Sequence, residues 1–527
     1  MSDAYLRWLL TQRGVSRREF MARAAAVGVT SAMASALFTQ SARAQTPKKG
    51  GTLIIGVDGG SSSDSLDPGT YSSSYMQVVG HQFGNCLVEI DSKGQAIPEL
   101  AESWEAKPGA TEWVFKLRKG VTFHNGKEMT AKDVVYSLNH HRGEGSKSGA
   151  AGVMKPITDI KETGPHEITV TLNSGNADLP YVMGDFHLLI IPEGTPFDAG
   201  LGTGPFVRES FDPGSRTVMK RNPNYWKSGH GHVDVVETLA INDMTARTSA
   251  LQSGSIHIMN RVDPKLVETL KKNAQIQIFE IAGGGHYTFP MRCDTAPFDN
   301  NDLRLAMKYA INREDLVKRI LRGHGRVGND HPVPSYDRFY AADIPQRTYD
   351  PEKAAFHYKK SGHSGDIELT VAENAFVGAV DAAQIFQQHA AKAGIPLKVQ
   401  RVSSDGYWTD VWMKAPFCAS YWNGRSTADL MLSVAYQSDA PWNDTFWKRP
   451  DFDKLLTAAR AELDDAKRRQ MYHDLQQMIV EDGGVIIPMF NNFIDAGHAS
   501  VKGFTPSPAF EMGGLRMAEQ VWLESSS

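Results

Sequence analysis

Aromatic and acidic side chains are concentrated in residues 403–447 of this sequence. Half of its tryptophans occur there, namely Trp408, Trp412, Trp422, Trp442 and Trp447. The same stretch contains Arg425 and five aspartates, which are Asp405, Asp410, Asp429, Asp439 and Asp444. Aromatic faces bind organic cations through cation–π contacts, and carboxylates bind amines through charge-assisted hydrogen bonds. The stretch therefore predicts a wall that recognises an amine-bearing solute, with a hydrophobic core and solvated aspartates as the alternative.

No signature of catalysis accompanies this wall. The sequence lacks the G-x-S-x-G nucleophile motif, the H-E-x-x-H zinc motif, a C-x-x-C pair and an EF-hand loop. The cysteines Cys86, Cys293 and Cys418 are too far apart for a disulfide framework or a zinc site, so we expect buried thiols, although one pair could bridge. These features favour a binding protein without a cofactor. A secreted hydrolase with a convergent triad is the alternative from another class.

The N-terminal residues are typical of an export signal of the twin-arginine type. Residues 16–21 read SRREFM, a weakly apolar run follows at 24–38, and residues 42–44 read ARA, which fits a small-residue cleavage site. The apolar run is too short and too rich in alanine for a good membrane span. We therefore expect cleavage near Ala44 and a mature protein that works in the periplasm.

The charge of the chain also limits its partners. Its formal net charge is −4, and the arginine-rich N-terminal segment leaves the remaining residues more acidic than that figure. An acidic surface disfavours nucleic acid and anionic membrane surfaces as partners.

The elements that must position the wall form a mixed α/β pattern in a chain of 527 residues, which is long enough for two lobes. Short apolar or alternating runs predict strands at 51–57, 113–117, 167–172, 256–259, 278–291 and 485–489. A strand at 367–371, a helix at 380–393 and a strand at 397–400 predict a βαβ unit. The glycines at 283–285 favour a lobe hinge or a close backbone approach.

Several segments, taken together and in order, resemble the large solute-binding proteins of bacterial ABC importers, extracellular solute-binding family five, the dipeptide, oligopeptide and nickel group. The resemblance covers essentially the whole mature chain. Besides residues 51–57 and the LDP at 66–68, it rests on PELAESW at 98–104, FKLRKGVTFHNG at 115–126, TAKDVVYSL at 130–138, GTGPF at 202–206, RNPNYW at 221–226 and AINR at 310–313.

This resemblance implies an α/β, two-lobed periplasmic binding protein of class II, of the large cluster C type, that closes around its ligand. Lobe I would comprise residues 45–285, with an extra subdomain at about 91–200, and lobe II residues 286–490. Residues 491–527 would return to lobe I, so that the chain crosses the hinge twice. A monomer that delivers its ligand to a membrane permease is the implied working form.

The resemblance also implies a ligand site on lobe II. Asp429 matches the carboxylate that pairs with a peptide's amino group in relatives, and Trp422 would lie beside the ligand. The usual aspartate–proline pair is missing, and Arg425 is new, so Arg425 and Asp429 would either clamp a zwitterion or pair with each other. The complete set of candidate ligand residues is Asp429, Trp422, Arg425, Asn423, Tyr421, Trp408, Trp442, Tyr287 and His286.

The expected ligand is a small amine-bearing or zwitterionic solute, such as a short peptide, an amino-acid derivative or an opine. A nickel-chelate or haem carrier of the same fold is the first alternative, with His81, His124 or His286 facing the cleft. A periplasmic chemosensory module that signals by closing, without transport, is another.

Overall fold

The structure is a computed structural model that describes Met21 and residues 47–403, 407–440 and 442–524. Residues 16–20 of the twin-arginine motif, the cleavage site at 42–44 and Asp405 lie outside the described residues. No helix within the described ranges is long and apolar enough to cross a membrane.

The described residues form the following strands: β1 Thr52–Val57, β2 Val88–Ile90, β3 Ala96–Pro98, β4 Ala101–Ala106, β5 Glu112–Leu117, β6 Ile157–Gly164, β7 Glu167–Leu172, β8 Phe206–Asp212, β9 Arg216–Arg221, β10 Val235–Ala240, β11 Ile258–Met259, β12 Ile276–Pro290, β13 Gly325–Val327, β14 Ile367–Val371, β15 Leu397–Arg401, β16 Ser420–Trp422, β17 Val485–His498, β18 Val501–Lys502 and β19 Trp522–Leu523.

The helices in the same ranges are α1 Ser74–Phe83, α2 Ala131–Asn139, α3 Ala151–Met154, α4 Leu179–Val182, α5 Met244–Gln252, α6 Pro264–Leu270, α7 Asn301–Tyr309, α8 Arg313–Arg319, α9 Pro351–Ser361, α10 Ala379–Ala391, α11 Tyr407–Asp410, α12 Ala428–Ala435, α13 Pro450–Ala461, α14 Asp465–Asp482, α15 Glu511–Gly514 and α16 Met517–Gln520. Three 3-10 turns lie at Pro68–Thr70, Pro108–Ala110 and Phe197–Ala199.

The largest sheet runs through both halves of the protein. Its strand order is β16-β12-β17-β11-β1-β10-β9-β8, with β13 also paired to β17. A separate antiparallel sheet has the order β4-β5-β7-β6, and β14 pairs with β15 in parallel. The last pair, joined through α10, is the βαβ unit that the sequence predicts.

The buried side chains separate into distinct cores. One core joins residues of 53–258 to residues of 501–521, so the end of the chain packs against its beginning. The antiparallel sheet β4-β5-β7-β6 has its own core within residues 87–190. Two further cores lie within 289–489 and 333–490. We refer to the first as the lobe I core, to the second as the subdomain core and to the last two as the lobe II cores.

Strands β12 and β17 connect the lobe I core to the lobe II cores. Their antiparallel pairing runs from Ile276–His498 to Pro290–Val485, and its register shifts between Ala282 and His286. The irregularity falls on the three glycines at 283–285, for which the sequence predicts a lobe hinge or a close backbone approach. A register shift of this kind bends a strand locally. The hinge role of these glycines stays a prediction.

Candidate functional site

Four tryptophans of the 403–447 stretch converge on one place. The ring of Trp412 lies 5.9 Å from Trp408 and 6.4 Å from both Trp422 and Trp442, measured between centroids. Trp422 and Trp442 are 6.2 Å apart. We call Trp408, Trp412, Trp422 and Trp442 the indole cluster. Its mostly edge-to-face geometry is the one that aromatic quadrupoles prefer.

The fifth tryptophan belongs to the interior instead. Trp447 is buried in a lobe II core, with its ring 5.0 Å from Phe452. Its indole Nε1 donates a hydrogen bond to Asp482 at 2.9 Å. For this residue the alternative of a packed core is the correct one.

Strand β16 positions two of the aromatic side chains. It pairs with β12 so that Trp422 lies opposite His286 and Tyr421 opposite Tyr287. Successive side chains on a strand point to opposite faces, so Trp422 is buried while Tyr421 points to the open side. Tyr421 extends the cluster, with its ring 5.5 Å from that of Trp408.

The indole cluster has an open edge. Tyr421 is 42% exposed and Trp442 is 47% exposed, which is unusual for such large aromatic side chains. Trp422, in contrast, is buried against a lobe II core. The cluster therefore offers accessible aromatic faces that are held rigid from behind, which is the property of a ligand wall.

The buried carboxylate of Asp444 contacts the indole cluster from the protein interior. Asp444 accepts a hydrogen bond from Nε1 of Trp412 at 3.1 Å, and the indole of Trp422 acts as a second donor that lowers its pKa. Burial raises the pKa of Asp444 to about 7, because desolvation outweighs these two neutral donors. Neither Trp412 nor Asp444 is among the candidate ligand residues predicted from the sequence, although both lie in the aromatic and acidic stretch at 403–447.

The raised pKa of Asp444 predicts a pH-dependent stability. The folded protein binds the proton of Asp444 more tightly than the unfolded chain does. The protonated carboxyl therefore contributes fully to the free energy of unfolding below about pH 4, and this contribution is lost as the pH rises to about 7. In the Asp444→Asn variant this side chain no longer titrates. We therefore expect its free energy of unfolding to fall less steeply with pH than that of the wild type, by up to about 1.4 kcal/mol per pH unit. Urea unfolding of both proteins between pH 4 and pH 8 measures the difference, and parallel pH profiles would contradict the prediction.

Asp429 is held by an arginine of the protein itself. It lies in the first turn of α12, which Thr427 caps by accepting from the backbone N–H of Leu430. Nε of Arg460 lies 3.0 Å from both of its carboxylate oxygens, and the hydroxyl of Tyr472 donates to it at 3.4 Å. Burial raises the pKa of Asp429 to about 6. The structure thus gives Asp429 an internal partner, and its role as an amine anchor stays a prediction.

The remaining candidate residues lie close by but differ in access. Asn423 is exposed, and Arg425 is half-buried in the loop that follows β16. His286 is fully buried and its Nδ1–H donates to the carbonyl of Gly284 at 3.0 Å, while burial lowers its pKa to about 4. Tyr287 stacks on Phe376 at 4.3 Å against a lobe II core. His286 and Tyr287 therefore support the wall from the neighbouring strand.

Lobe I contributes charged groups that sequence reasoning missed. Nε of Arg261 donates to Glu511 at 2.9 Å, and its Nη1 lies 3.3 Å from a carboxylate oxygen of Asp58. The charge of Glu511 raises the pKa of Arg261 above its ordinary value, and Tyr421 of the opposite lobe contributes in the same direction. These residues come from three distant parts of the chain, so no local pattern could have grouped them.

The subdomain and lobe II are in direct contact along one seam. Asp178 is buried and accepts from both Nη1 and Nη2 of Arg468, at 3.0 and 2.7 Å, and from Nη2 of Arg338 at 2.7 Å. The backbone N–H of Ala177 donates to the carbonyl of Arg460 at 2.7 Å. A cavity of about 10 Å³ remains beside this seam, lined by Tyr181 and residues 336–339 among others. A cavity of about 490 Å³ lies elsewhere, beside residues 48–51 and 523–524.

The histidines of the metal-carrier alternative lie in separate places. His81 is buried on α1, and His124 lies near Gly204, whose carbonyl is 3.0 Å from its Nε2. His286 is on β12. Among the described residues, no group of three or more histidine, cysteine, aspartate or glutamate side chains could hold a metal ion. The three cysteines are free thiols, with Cys86 and Cys418 buried and Cys293 half-buried.

Comparison with known proteins agrees with this architecture. The chain is 26% identical over 489 residues to the dipeptide-binding protein of Escherichia coli K12, covering 83% of this chain and 88% of that protein. Its fold matches the ABC transporter-associated periplasmic binding protein DppA of Helicobacter pylori, solved with a peptide, at a TM-score of 0.73, with 24% identity and 92% and 100% coverage. It also matches the binding protein AgaA of Agrobacterium tumefaciens R10, solved with agropinic acid, at a TM-score of 0.73, with 24% identity and 90% and 99% coverage.

The fold is that of a two-lobed solute-binding protein. The model of the bacterial extracellular solute-binding proteins, family 5, matches residues 95–466, well over half of the chain. The protein therefore belongs to this family, as the resemblance seen in the sequence implies.

Proposed function

We propose that this protein is the periplasmic substrate-binding component of an ABC importer. It captures a small amine-bearing or zwitterionic solute, such as a short peptide, an amino-acid derivative or an opine, between its lobes. It then delivers the solute, chemically unchanged, to a membrane permease. Export by the twin-arginine route, cleavage near Ala44 and action as a monomer belong to the same proposal.

The open edge of the indole cluster is the observation that carries this proposal. Exposed aromatic faces beside Tyr421 and Trp442 favour ligands with a cationic or planar part, through cation–π contacts and stacking. Tyr421 is close enough to Arg261 of lobe I to act on its charge, which supports a site with charged groups on one side and aromatic surface on the other. One relative is named a dipeptide-binding protein, and one structural neighbour was solved with agropinic acid, and both compounds fall in this chemical range.

A thermal-shift and calorimetric screen of the mature protein tests the proposal. We expect a compound among dipeptides, opines, amino acids and amines to raise the melting temperature and to change the tryptophan fluorescence. Trp442→Ala is expected to weaken binding of that compound about tenfold, because it removes a cation–π or stacking contact. Mass spectrometry of the released compound should show it unmodified.

The matched control is Phe356→Ala, which removes an exposed aromatic side chain from α9, outside the cluster. It should leave the affinity unchanged. Equal effects of the two substitutions would contradict the aromatic wall. Conversion of the compound into a product would contradict the proposed function itself and favour the hydrolase alternative.

A further inference from the structure

The loop between β16 and α12 is held tightly against the bulge of β12. A Cβ atom on Gly424 would lie 3.0 Å from Cα of Gly284, and a Cβ atom on Gly284 would lie 3.1 Å from Cα of Gly424. Such distances are shorter than ordinary carbon contacts, so a side chain at either position would push the two backbone segments apart. The backbone that carries Arg425, the next residue, is therefore well defined.

Arg425 has no carboxylate partner among the described residues. Its Nη1 donates to the carbonyls of Asn423 and Gly424, at 3.1 and 3.2 Å, which belong to its own loop. Its Nε and Nη2 donate to no described residue. Neither atom is among the buried polar atoms that lack a partner, so both retain some exposure to solvent. Desolvation lowers the pKa of Arg425, as expected for a half-buried cation that lacks a counter-ion.

The nearby acids are committed to other groups. Asp429, four residues further on, pairs with Arg460 rather than with Arg425. Asp185 of the subdomain is close enough for its charge to act on Arg425, but its carboxylate binds Nδ1 of His187 at 2.6 Å. Asp429 and Arg425, the two residues of the predicted zwitterion clamp, therefore differ. The carboxylate of Asp429 is already paired, whereas Nε and Nη2 of Arg425 donate to no described residue.

A second arginine adds positive charge beside the same bulge. Nη2 of Arg326 donates to the carbonyl of Gly283 at 2.7 Å, and its Nη1 donates to the hydroxyl of Ser335. No carboxylate of the described residues forms an ion pair with it, and its Nε is buried without a partner. Arg425 and Arg326 thus place two guanidinium groups beside the bulge without an ion-paired carboxylate among the described residues.

We propose that Arg425 binds a carboxylate of the solute, so that the ligands of this protein are acids, namely zwitterionic amino-acid derivatives or peptides with a free carboxyl group. This inference rests on the proposed function and narrows its solute class. The free Nε and Nη2 of a guanidinium match the two oxygens of a carboxylate in a bidentate arrangement. Arg425 thus becomes the charged anchor of the site.

The spacing suits a ligand of this size. Arg425 and Tyr421 are four positions apart, which is at most about 14 Å of extended chain. A ligand whose carboxylate is held by Arg425 can therefore extend its amine or planar part to Tyr421, at the open edge of the indole cluster. Binding there replaces the water around a partly desolvated cation with a fixed counter-ion.

Matched pairs of compounds test the assignment. Dipeptides, amino acids and opines are each titrated beside their carboxamides, in which the negative charge is removed and the rest is kept. For the wild-type protein, we expect each binding acid to exceed its amide in affinity by about 10- to 100-fold, the usual worth of a charged hydrogen-bonded pair. Comparing the dipeptide pairs with the opine pairs shows whether the bound carboxylate belongs to a peptide or to an opine.

Variants of the arginine give the second readout. Arg425→Gln should lower the affinity for the acid by the same factor and leave that for the amide within about threefold. Arg425→Lys should restore part of the acid preference, since lysine keeps the charge but loses the bidentate fork. Arg401→Gln, an exposed arginine of β15 paired with Glu373, is the control and should change neither affinity.

The outcomes separate the two proposals. If an acid and its amide bind equally and Arg425→Gln changes neither, the anchor is overturned while the proposed function stands. If Arg425→Gln weakens acid and amide alike, the residue acts through the loop structure and the carboxylate assignment is also overturned. If no compound of the screen binds the wild-type protein, the proposed solute class fails and this inference fails with it.

Discussion

Replacing Asp178 by alanine is expected to open the two lobes. The side chain neutralises Arg468 and Arg338 across the seam between the subdomain and lobe II, and the Arg468 guanidinium is buried there. Removing one partner of a buried ion pair costs about 3 to 5 kcal/mol, because the remaining charge is left without compensation. Opening the seam rehydrates both arginines, so this cost appears in the closure equilibrium rather than in unfolding.

The measurable result is an increase in the radius of gyration by X-ray scattering in the absence of ligand. The apparent affinity for the ligand found in the screen should fall by about 100-fold or more, since binding must then restore the closed state. Asp465→Ala is the matched control. Asp465 also faces Arg338, at 3.6 Å, but its side chain is 74% exposed, so its loss should have almost no effect. An unchanged radius in the Asp178 variant would contradict this account of the seam.

Replacing Asp330 by alanine is expected to destabilise lobe II by about 3 to 5 kcal/mol. Asp330 is fully buried and accepts two hydrogen bonds of 2.7 Å from Arg313, one of 2.9 Å from Arg347 and one of 3.0 Å from the backbone N–H of Ile487. Burial would raise the pKa of this carboxyl, but the positive charges of Arg313, Arg347 and Lys308 hold it below its usual range. Without it, two arginines lose their counter-ion and β17 loses a hydrogen bond in the strand that joins the lobes.

Asp330→Asn separates charge from shape in this prediction. Asparagine tolerates the left-handed backbone of this position, where φ is 60°, and keeps one acceptor for Ile487. It should therefore recover part of the stability that alanine loses. Asp343→Ala is the surface control, since that side chain is 80% exposed and contacts only His473 among described cations, at 3.4 Å. Urea denaturation measures all three, and equal midpoints for Asp330→Ala and Asp343→Ala would contradict the prediction.

Asp178, Asp330 and Asp429 show how the acids of this protein are used. Each binds one or more arginines of a different element, and each lies at a junction between elements. Such pairs fix the geometry of the parts they join more than they raise net stability. Arg425 differs because its guanidinium keeps free donors, and for that reason we assign it to the ligand.

Local patterns in the sequence were enough to predict much of the architecture. The run at 51–57, predicted as a strand, becomes β1 within the largest sheet, and Thr130 and Asp133, three positions apart, form a capping box at the start of α2. The βαβ unit of lobe II and the long strand through the glycines were likewise visible. These features depend on residues a few positions apart, so their periodicity and caps carry the information. The resemblance to the family further implied which residue ranges form lobe I, lobe II and the return of the chain to lobe I.

The sequence by itself determined that the protein is an α/β solute-binding protein of family 5 with an aromatic-rich segment in its second half. Only the tertiary structure decided which tryptophans form the wall, since Trp442 is exposed while Trp447 is buried five residues later. It also decided that Asp429 pairs with Arg460, 31 residues away, and leaves Arg425 without a carboxylate partner among the described residues. The physical reason is that charge pairing and burial depend on distances in space, which the linear order of ionisable groups does not contain.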